Sequence, residues 1–346
     1  MSSATIIRRL CSSLLIIILA FTSAPLAAQD KSKNKKKKPT PRGTPVLWRA
    51  PADIESRDLA LGPGGAEMRP NLRRITFLKK QEGGWSTKFR VRDASGREWV
   101  AKVGKEAQSE TAAVRLVWAA GYLTEINYLA PCVRIEGAPA PGKDDEQCEG
   151  GGFANVRFEA RPKGVKRLDP WEWKKNPFKG TRELQGLIVL MGLINNWDLK
   201  DTNNVVLAAP GARGRTELQY VISDLGATFG KTGSLPLFWR VTRSRNDPEG
   251  FSKDKFVDEV EDGKVSFHFT GKNRGLFEDI TVRDARWIGG WLSRLSERQI
   301  GDAFRAANYA PDEVQMLTDA VRRRVGELTA LRGRGAESGD AGGRRR

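Results

Sequence analysis

The stretch NNWDLKDTNNVVL, residues 195–207, decides how this chain is read. Asp198, Lys200 and Asn203 lie in a short polar loop that follows an apolar run, TRELQGLIVLMGLI at residues 181–194. Thr181 is placed to cap that run as a helix, and the loop leaves its far end. Beyond it, residues 205–207 and 220–222 are β-branched or apolar and are joined by the turn-rich APGARGRTE, the pattern of a hairpin. The hairpin exits into Asp224-Leu225-Gly226, with Asp224 placed 26 residues after Asp198. A lone DxKxxN reads most simply as a helix exit whose side chains satisfy loose backbone groups. Helix, polar loop, hairpin and a second acid follow one another in that order, carrying an acid, a lysine, an amide and another acid.

The amino-terminal half supplies the complement. Residues 75–80, 88–92 and 98–103 read as three strands, separated by Gln81-Glu82-Gly83-Gly84-Trp85-Ser86 and by Asp93-Ala94-Ser95-Gly96. Gly83 and Gly84 permit a close approach of backbone amides to whatever lies beneath the first turn. Lys102, in WVAKVG, falls between alternating apolar residues, a costly place for an unpaired charge. The next segment, KEAQSETAAVRLVWAAGY, is helical, with Glu106 and Glu110 one turn apart on one face, so either can serve as the partner of Lys102.

Over residues 74–229 these segments resemble the protein-kinase-like superfamily. Asp198, Leu199, Lys200 and Asn203 match the DLKxxN core of its catalytic loop, Asp224-Leu225-Gly226 stands where it carries DFG, and WVAK resembles VAIK. The resemblance implies an α+β, two-lobed fold: a small β-rich lobe with the hinge over residues 44–160 and a mainly helical lobe over residues 161–331. It implies that Asp198 accepts the proton of the acceptor hydroxyl and that Lys200 offsets charge on the moving phosphoryl group. Asn203 and Asp224 would hold Mg2+ or Mn2+, while Lys102 and the Gly83-Gly84 turn would hold the phosphates of ATP or another nucleoside triphosphate. Glu110, placed ahead of Ala119-Ala120-Gly121-Tyr122, resembles the lysine-partner glutamate of HipA-type kinases, which leaves Glu106 as a solvent-facing acid.

Three departures matter. Asn196-Trp197 take the place of the HRD histidine and arginine, no APE follows Asp224, and the glycine turn lacks the full GxGxxG. They are similar to the atypical branch that includes HipA, phosphoinositide kinases and secretory-pathway kinases, and they leave the acceptor open among protein, lipid and glycan. An exported pseudokinase-type binding module without catalysis is the alternative.

Elsewhere the chain is less pointed. Residues 153–161, FANVRFEAR, alternate like a strand and would form the hinge, with Glu159 or its neighbours along the adenine edge. WEWKKNPF, residues 171–178, offers either a stacking surface or two core tryptophans, Trp171 and Trp173. Residues 283–295, 296–307 and 311–331 read as three helices, with Ser296 and Pro311 opening the last two and the arginines at 322–324 on a solvated face. His268, in VSFHFTG, reads as structural rather than catalytic.

The ends bound the compartment and the charge. Residues 1–28, with Arg8-Arg9, a short apolar core and SAPLAAQ, have the form of a secretory signal peptide, too short for a comfortable membrane span, so the mature chain is expected to be periplasmic or secreted. Of the three cysteines, Cys132 and Cys148 remain after its removal, flanking EGAPAPGKDDEQ; an exported chain favours a disulfide there, with two free thiols as the alternative. The net charge of +17 divides into +2 in the signal, +6 in residues 29–43 and +3 in residues 332–346, which leaves +6 for the body. The excess thus belongs to two disordered ends, of which residues 29–43 would attract anionic surfaces weakly; specific nucleic-acid binding is not expected.

Overall fold

Alternating apolar residues followed by a long apolar helix predict a sheet stacked on helices, and both appear as separate layers. The computed structural model describes residues 42–82, 86–142, 145–233 and 242–332. The signal-peptide, linker and tail expectations therefore fall outside the described residues almost entirely, as do Gly83 and Gly84.

The chain enters through β1 (Thr44–Val46) and then builds an upper sheet from β2 (Ile75–Gln81), β3 (Lys88–Arg92) and β4 (Glu98–Lys102). Helix α1 (Glu106–Ala119) follows, then β5 (Asn127–Val133), β6 (Ile135–Glu136), β7 (Gln147–Cys148) and β8 (Gly152–Ala160). The strand order is β5-β8-β4-β3-β2-β6, with β7 on β8. Its inner face is a core of its own, built on Phe89, Trp99, Tyr128, Phe153 and Phe158. At the rim, Cys132 on β5 and Cys148 on β7 form a disulfide with their Cα atoms 5.7 Å apart, as the cysteine count predicts.

The lower lobe contains β9 (Lys166–Arg167), α2 (Arg182–Leu193), β10 (Asn204–Pro210) and β11 (Thr216–Ile222). It continues with α3 (Pro248–Lys253), the hairpin β12 (Val257–Glu261) and β13 (Lys264–Phe267), and the helices α4 (Val282–Leu292), α5 (Glu297–Arg305) and α6 (Pro311–Ala330). Helix α2 is apolar on every side from Gly186 onward, the pattern of a helix enclosed by others, and it is buried from Leu187 to Leu193 at the centre of the larger core. Thr181 caps it by accepting from the Leu184 N–H, and Ser296 opens α5 with a reciprocal capping box through Gln299.

Two features were not legible in the pattern. β1 pairs in parallel with β11, so Thr44–Val46 joins the lower sheet, ordered β1-β11-β10-β9, although residue 44 opens the range read as the upper lobe. Trp48 beyond it packs its ring 5.1 Å from Trp287 of α4, drawing the entry segment into the helical core. Trp171 and Trp173 are buried, so the aromatic segment is core rather than a stacking surface. Among the described residues no helix is long and apolar enough to cross a membrane.

Candidate active site

The site is built where β4, α1 and β8 of the upper lobe face the loop ends of the lower sheet. Lys102 is the last residue of β4, and its antiparallel register places it opposite Lys88 of β3 and Arg157 of β8. The Lys102 side chain is 2% exposed, so it must be neutralised where it lies. Its Nζ lies 2.8 Å from Glu106 Oε2, 2.9 Å from Glu110 Oε2 and 3.5 Å from Asp224 Oδ1.

The choice between the two glutamates therefore resolves as both. Glu110 pairs with Lys102 as the resemblance implies, but the reading of Glu106 as solvent-facing is corrected: Glu106 is buried, with Ser86 Oγ donating to its carboxylate at 2.8 Å and Arg245 bonded to its other oxygen. The first turn of α1 points into the cleft because α1 is docked on the Asp224-Leu225-Gly226 segment. Ser109 Oγ donates to the Gly226 carbonyl at 2.9 Å, and Thr228 Oγ1 donates back to the Ser109 carbonyl at 3.3 Å. A Cβ at residue 226 would stand 2.8 Å from the Glu106 Cβ, so glycine is what lets the helix approach this closely.

Electrostatics follow the burial. Desolvation pushes Lys102 toward its neutral form, but Glu110, Asp224 and Glu106 outweigh it and the pKa is raised, so the lysine is charged. Asp224 is likewise opposed by burial, yet Lys102 and the Gly226 amide hold its carboxyl below the ordinary range. Glu110 is shifted upward because its complete burial exceeds the pull of Arg157 and Lys102.

On the facing loop, Asn195 ends α2 in the left-handed conformation, φ 52°, which asparagine tolerates. Its amide donates to the Gly230 carbonyl at 2.7 Å and to Asp254 Oδ2 at 2.8 Å, while its oxygen accepts from Arg324 at 2.7 Å. Asn203 Nδ2 then donates to the Asp198 carbonyl at 2.7 Å and to Asp198 Oδ2 at 3.2 Å, which leaves its amide oxygen for another ligand. Lys200 Nζ lies 2.8 Å from Asp198 Oδ2. Asp198 Oδ1 is buried with no hydrogen-bond partner among the described residues. Asn203 and Asp224 flank the paired end of β10 and β11, where the Ser223 and Asp224 amides both donate to the Asn203 carbonyl, at 2.8 and 3.1 Å.

Lys102, Glu110, Asn203 and Asp224 thus line one cavity of about 200 Å³, with Asp198 and Lys200 bonded to its edge through Asn203. Three charged groups in it were not foreseen. Arg157 bridges Glu110 and Glu159 at 2.8 and 2.7 Å, and Arg161 and Arg167 continue the alternation to Glu159 and Glu125. The signal was present in FANVRFEAR, where Arg157 and Glu159 alternate with Val156 and Phe158 on an otherwise apolar strand. A further correction concerns α6. Arg324 is not on a solvated face but fully buried, donating to the carbonyls of Leu193, Phe251 and Asp254 at 2.8, 3.2 and 3.0 Å as well as to Asn195.

No family model matches the chain, and no curated protein matches it. Among solved structures it is similar to the Helicobacter pylori proinflammatory kinase CtkA, with a TM-score of 0.41 and 12% identity over 74% of this chain and 98% of that one. It is also similar to a Golgi casein kinase with Mn/ADP bound (0.39, 10%, 75% and 72%) and to hydra Fam20 with sugar (0.32, 10%, 77% and 88%). At these values the likeness carries no argument, and the weight rests on the chain's own geometry. A β-rich lobe carrying Lys102 and Glu110 meets a helical lobe carrying the 198–203 loop and Asp224, the two-lobed α+β arrangement that the sequence predicts.

Proposed function

We propose that the cleft is the site of a metal-dependent phosphotransferase that moves a terminal phosphoryl group to a hydroxyl acceptor. The observation that carries this reading is Lys102, a buried cation shared by Glu106 and Glu110 of one lobe and by Asp224 of the other. The carboxylates of both lobes hold this lysine charged at the place where an anion arriving between the lobes would meet it.

Asp198 holds its unpartnered Oδ1 as the acceptor for the hydroxyl proton, and Asn203 orients that residue through one hydrogen bond to its carboxylate Oδ2 and one to its backbone carbonyl. Lys200, half exposed beside Asp198, offsets charge on the transferred group. Lys102 contacts the donor's phosphates and is kept in place by the two glutamates. Asp224 and the Asn203 amide oxygen would hold Mg2+ or Mn2+, which when bound neutralises charge on the phosphates. ATP is the donor that the sequence resemblance implies, and the acceptor class is a protein, lipid or glycan hydroxyl. The disulfide supports an oxidising compartment, in keeping with a periplasmic or secreted site of action.

The test is calorimetric titration of Mn-ATP into the oxidised protein, its Asp224→Ala variant and its Asp198→Asn variant, followed by radiolabel transfer to candidate acceptors. Binding should require metal and vanish in Asp224→Ala. Asp198→Asn should bind normally and lose about 10²–10⁴-fold in transfer rate, the range for a lost general base. Undiminished metal-dependent binding by Asp224→Ala would overturn the assignment.

A further inference from the structure

The inner end of the cleft is unsuited to a nucleobase. A base needs apolar surface above and below its ring and peptide groups along its edge. Because side chains alternate along a strand, Arg157 and Glu159 of β8 share the face that carries Lys102 and Val100 of β4. That face holds a continuous ladder of opposite charges: Lys102, Glu110, Arg157, Glu159 and Arg161, with Arg167 and Glu125 alongside. Val100 is the one apolar residue among the described residues lining the cavity.

Peptide groups along this edge are few, the Arg161 N–H being the one there with no backbone partner among the described residues. The Ala160 N–H at the end of β8 is already donated to the Ile126 carbonyl at 2.9 Å, and Pro162 two residues on has no N–H. The cavity of about 200 Å³ is also below the roughly 300–1,000 Å³ of sites that enclose a drug-sized organic ligand.

Positive charge is what the same wall offers. Arg161 and Arg167 keep 30% and 41% of their side chains exposed at the cavity edge, and Lys88 lines it with no carboxylate partner among the described residues. Deeper in, Arg157 is 97% buried and its Nε has no hydrogen-bond partner among the described residues. With Lys102 these groups make five cations in a lining that holds three acids, Glu110, Glu159 and Asp224.

We infer that the donor recognised by this cleft is a linear phosphoanhydride chain without a nucleoside, an inorganic polyphosphate, gripped by Lys102, Lys88, Arg161 and Arg167. The inference rests on the phosphotransferase reading and replaces the donor that the sequence resemblance implies. In the transfer, the bond from the terminal phosphorus to its bridging oxygen breaks and leaves its electron pair on the shortened chain. A phosphorus–oxygen bond forms to the acceptor, whose proton passes to Asp198.

The experiment compares manganese tripolyphosphate, Mn-ATP and adenosine by titration calorimetry on the oxidised full-length chain and on the double variant Arg161→Gln/Arg167→Gln, with circular dichroism as the check on folding. Tripolyphosphate is expected to bind at least as tightly as ATP, adenosine is expected not to bind, and the double variant is expected to weaken tripolyphosphate tenfold or more. ATP binding more than tenfold tighter than tripolyphosphate, with adenosine competing, would overturn the polyphosphate donor and leave the phosphotransferase reading standing. Absence of binding by both polyanions in a folded sample would overturn both. Should the double variant unfold, the ratio of the two affinities on the unaltered protein decides alone.

Discussion

Replacing Lys102 by Met tests the central ion cluster most directly. The substitution keeps the apolar stem and removes the charge that faces Glu106, Glu110 and Asp224 at 2.8, 2.9 and 3.5 Å. With an effective dielectric of about 20, each of the two closer contacts has a gross Coulomb energy of roughly 6 kcal/mol, most of which desolvation cancels. Breaking one side of a buried pair costs about 3–5 kcal/mol net, because the partner is left charged and unsolvated. Here the low end applies: Arg157 still bonds Glu110 at 2.8 Å, and Glu106 keeps Ser86 and Arg245. We expect a loss of about 3 kcal/mol, measured from urea unfolding midpoints at pH 7 with the disulfide intact. The loss should shrink between pH 8 and pH 5. Glu110, already shifted upward by burial, loses the lowering influence of Lys102 and takes up a proton more readily on folding as pH falls. Adding Glu110→Gln should make the double variant less destabilised than the sum of the single changes by about 1.5 kcal/mol or more. A loss under about 1 kcal/mol that does not vary with pH, or additive single changes, would refute the cluster as described.

Two other outcomes follow from buried charges outside the transfer chemistry. Arg324→Met deletes donors to Leu193, Asn195, Phe251 and Asp254 and a stack 4.1 Å above Phe251, so it should destabilise by about 3–5 kcal/mol and weaken metal-dependent binding through the loosened 195–203 loop; a melting curve that matches the wild type would contradict this. Glu125→Gln should become progressively more stabilising relative to wild type from pH 5 to pH 8. Burial and the neighbouring Glu159 push Glu125 up to about 7, so the native state holds a proton that the unfolded chain releases above ~4.3, and wild-type stability falls across that window by up to roughly 3 kcal/mol. Glu159 has the opposite sign: burial opposes its ionisation, but Arg157, Arg161 and Arg167 hold it at about 2, and its contribution is lost only as pH falls below the ordinary carboxylate range. A pH-independent difference between Glu125→Gln and wild type would set this account aside.

The parts of the protein that its sequence determined unaided are those governed by local physics. Strand alternation in residues 75–102, the Thr181 and Ser296 caps and the apolar run of α2 are short-range signals, and each element formed where those signals placed it. The grouping of Asp198, Asn203 and Asp224 was implied by the resemblance of their motifs, and the hairpin of β10 and β11 is what returns the chain to its starting point. Tertiary structure decided what depends on distant partners. Glu106 turned inward because α1 docks on Gly226, more than a hundred residues away in sequence, and Arg324 was buried because four acceptors from α2, α3 and their flanking loops converge on it. Periodicity treats a charged residue on a helix as solvent-facing, since water is its cheapest partner. Only the fold reveals where a carboxylate or a set of carbonyls replaces that water, and in this chain those replacements make the cleft ionic from end to end.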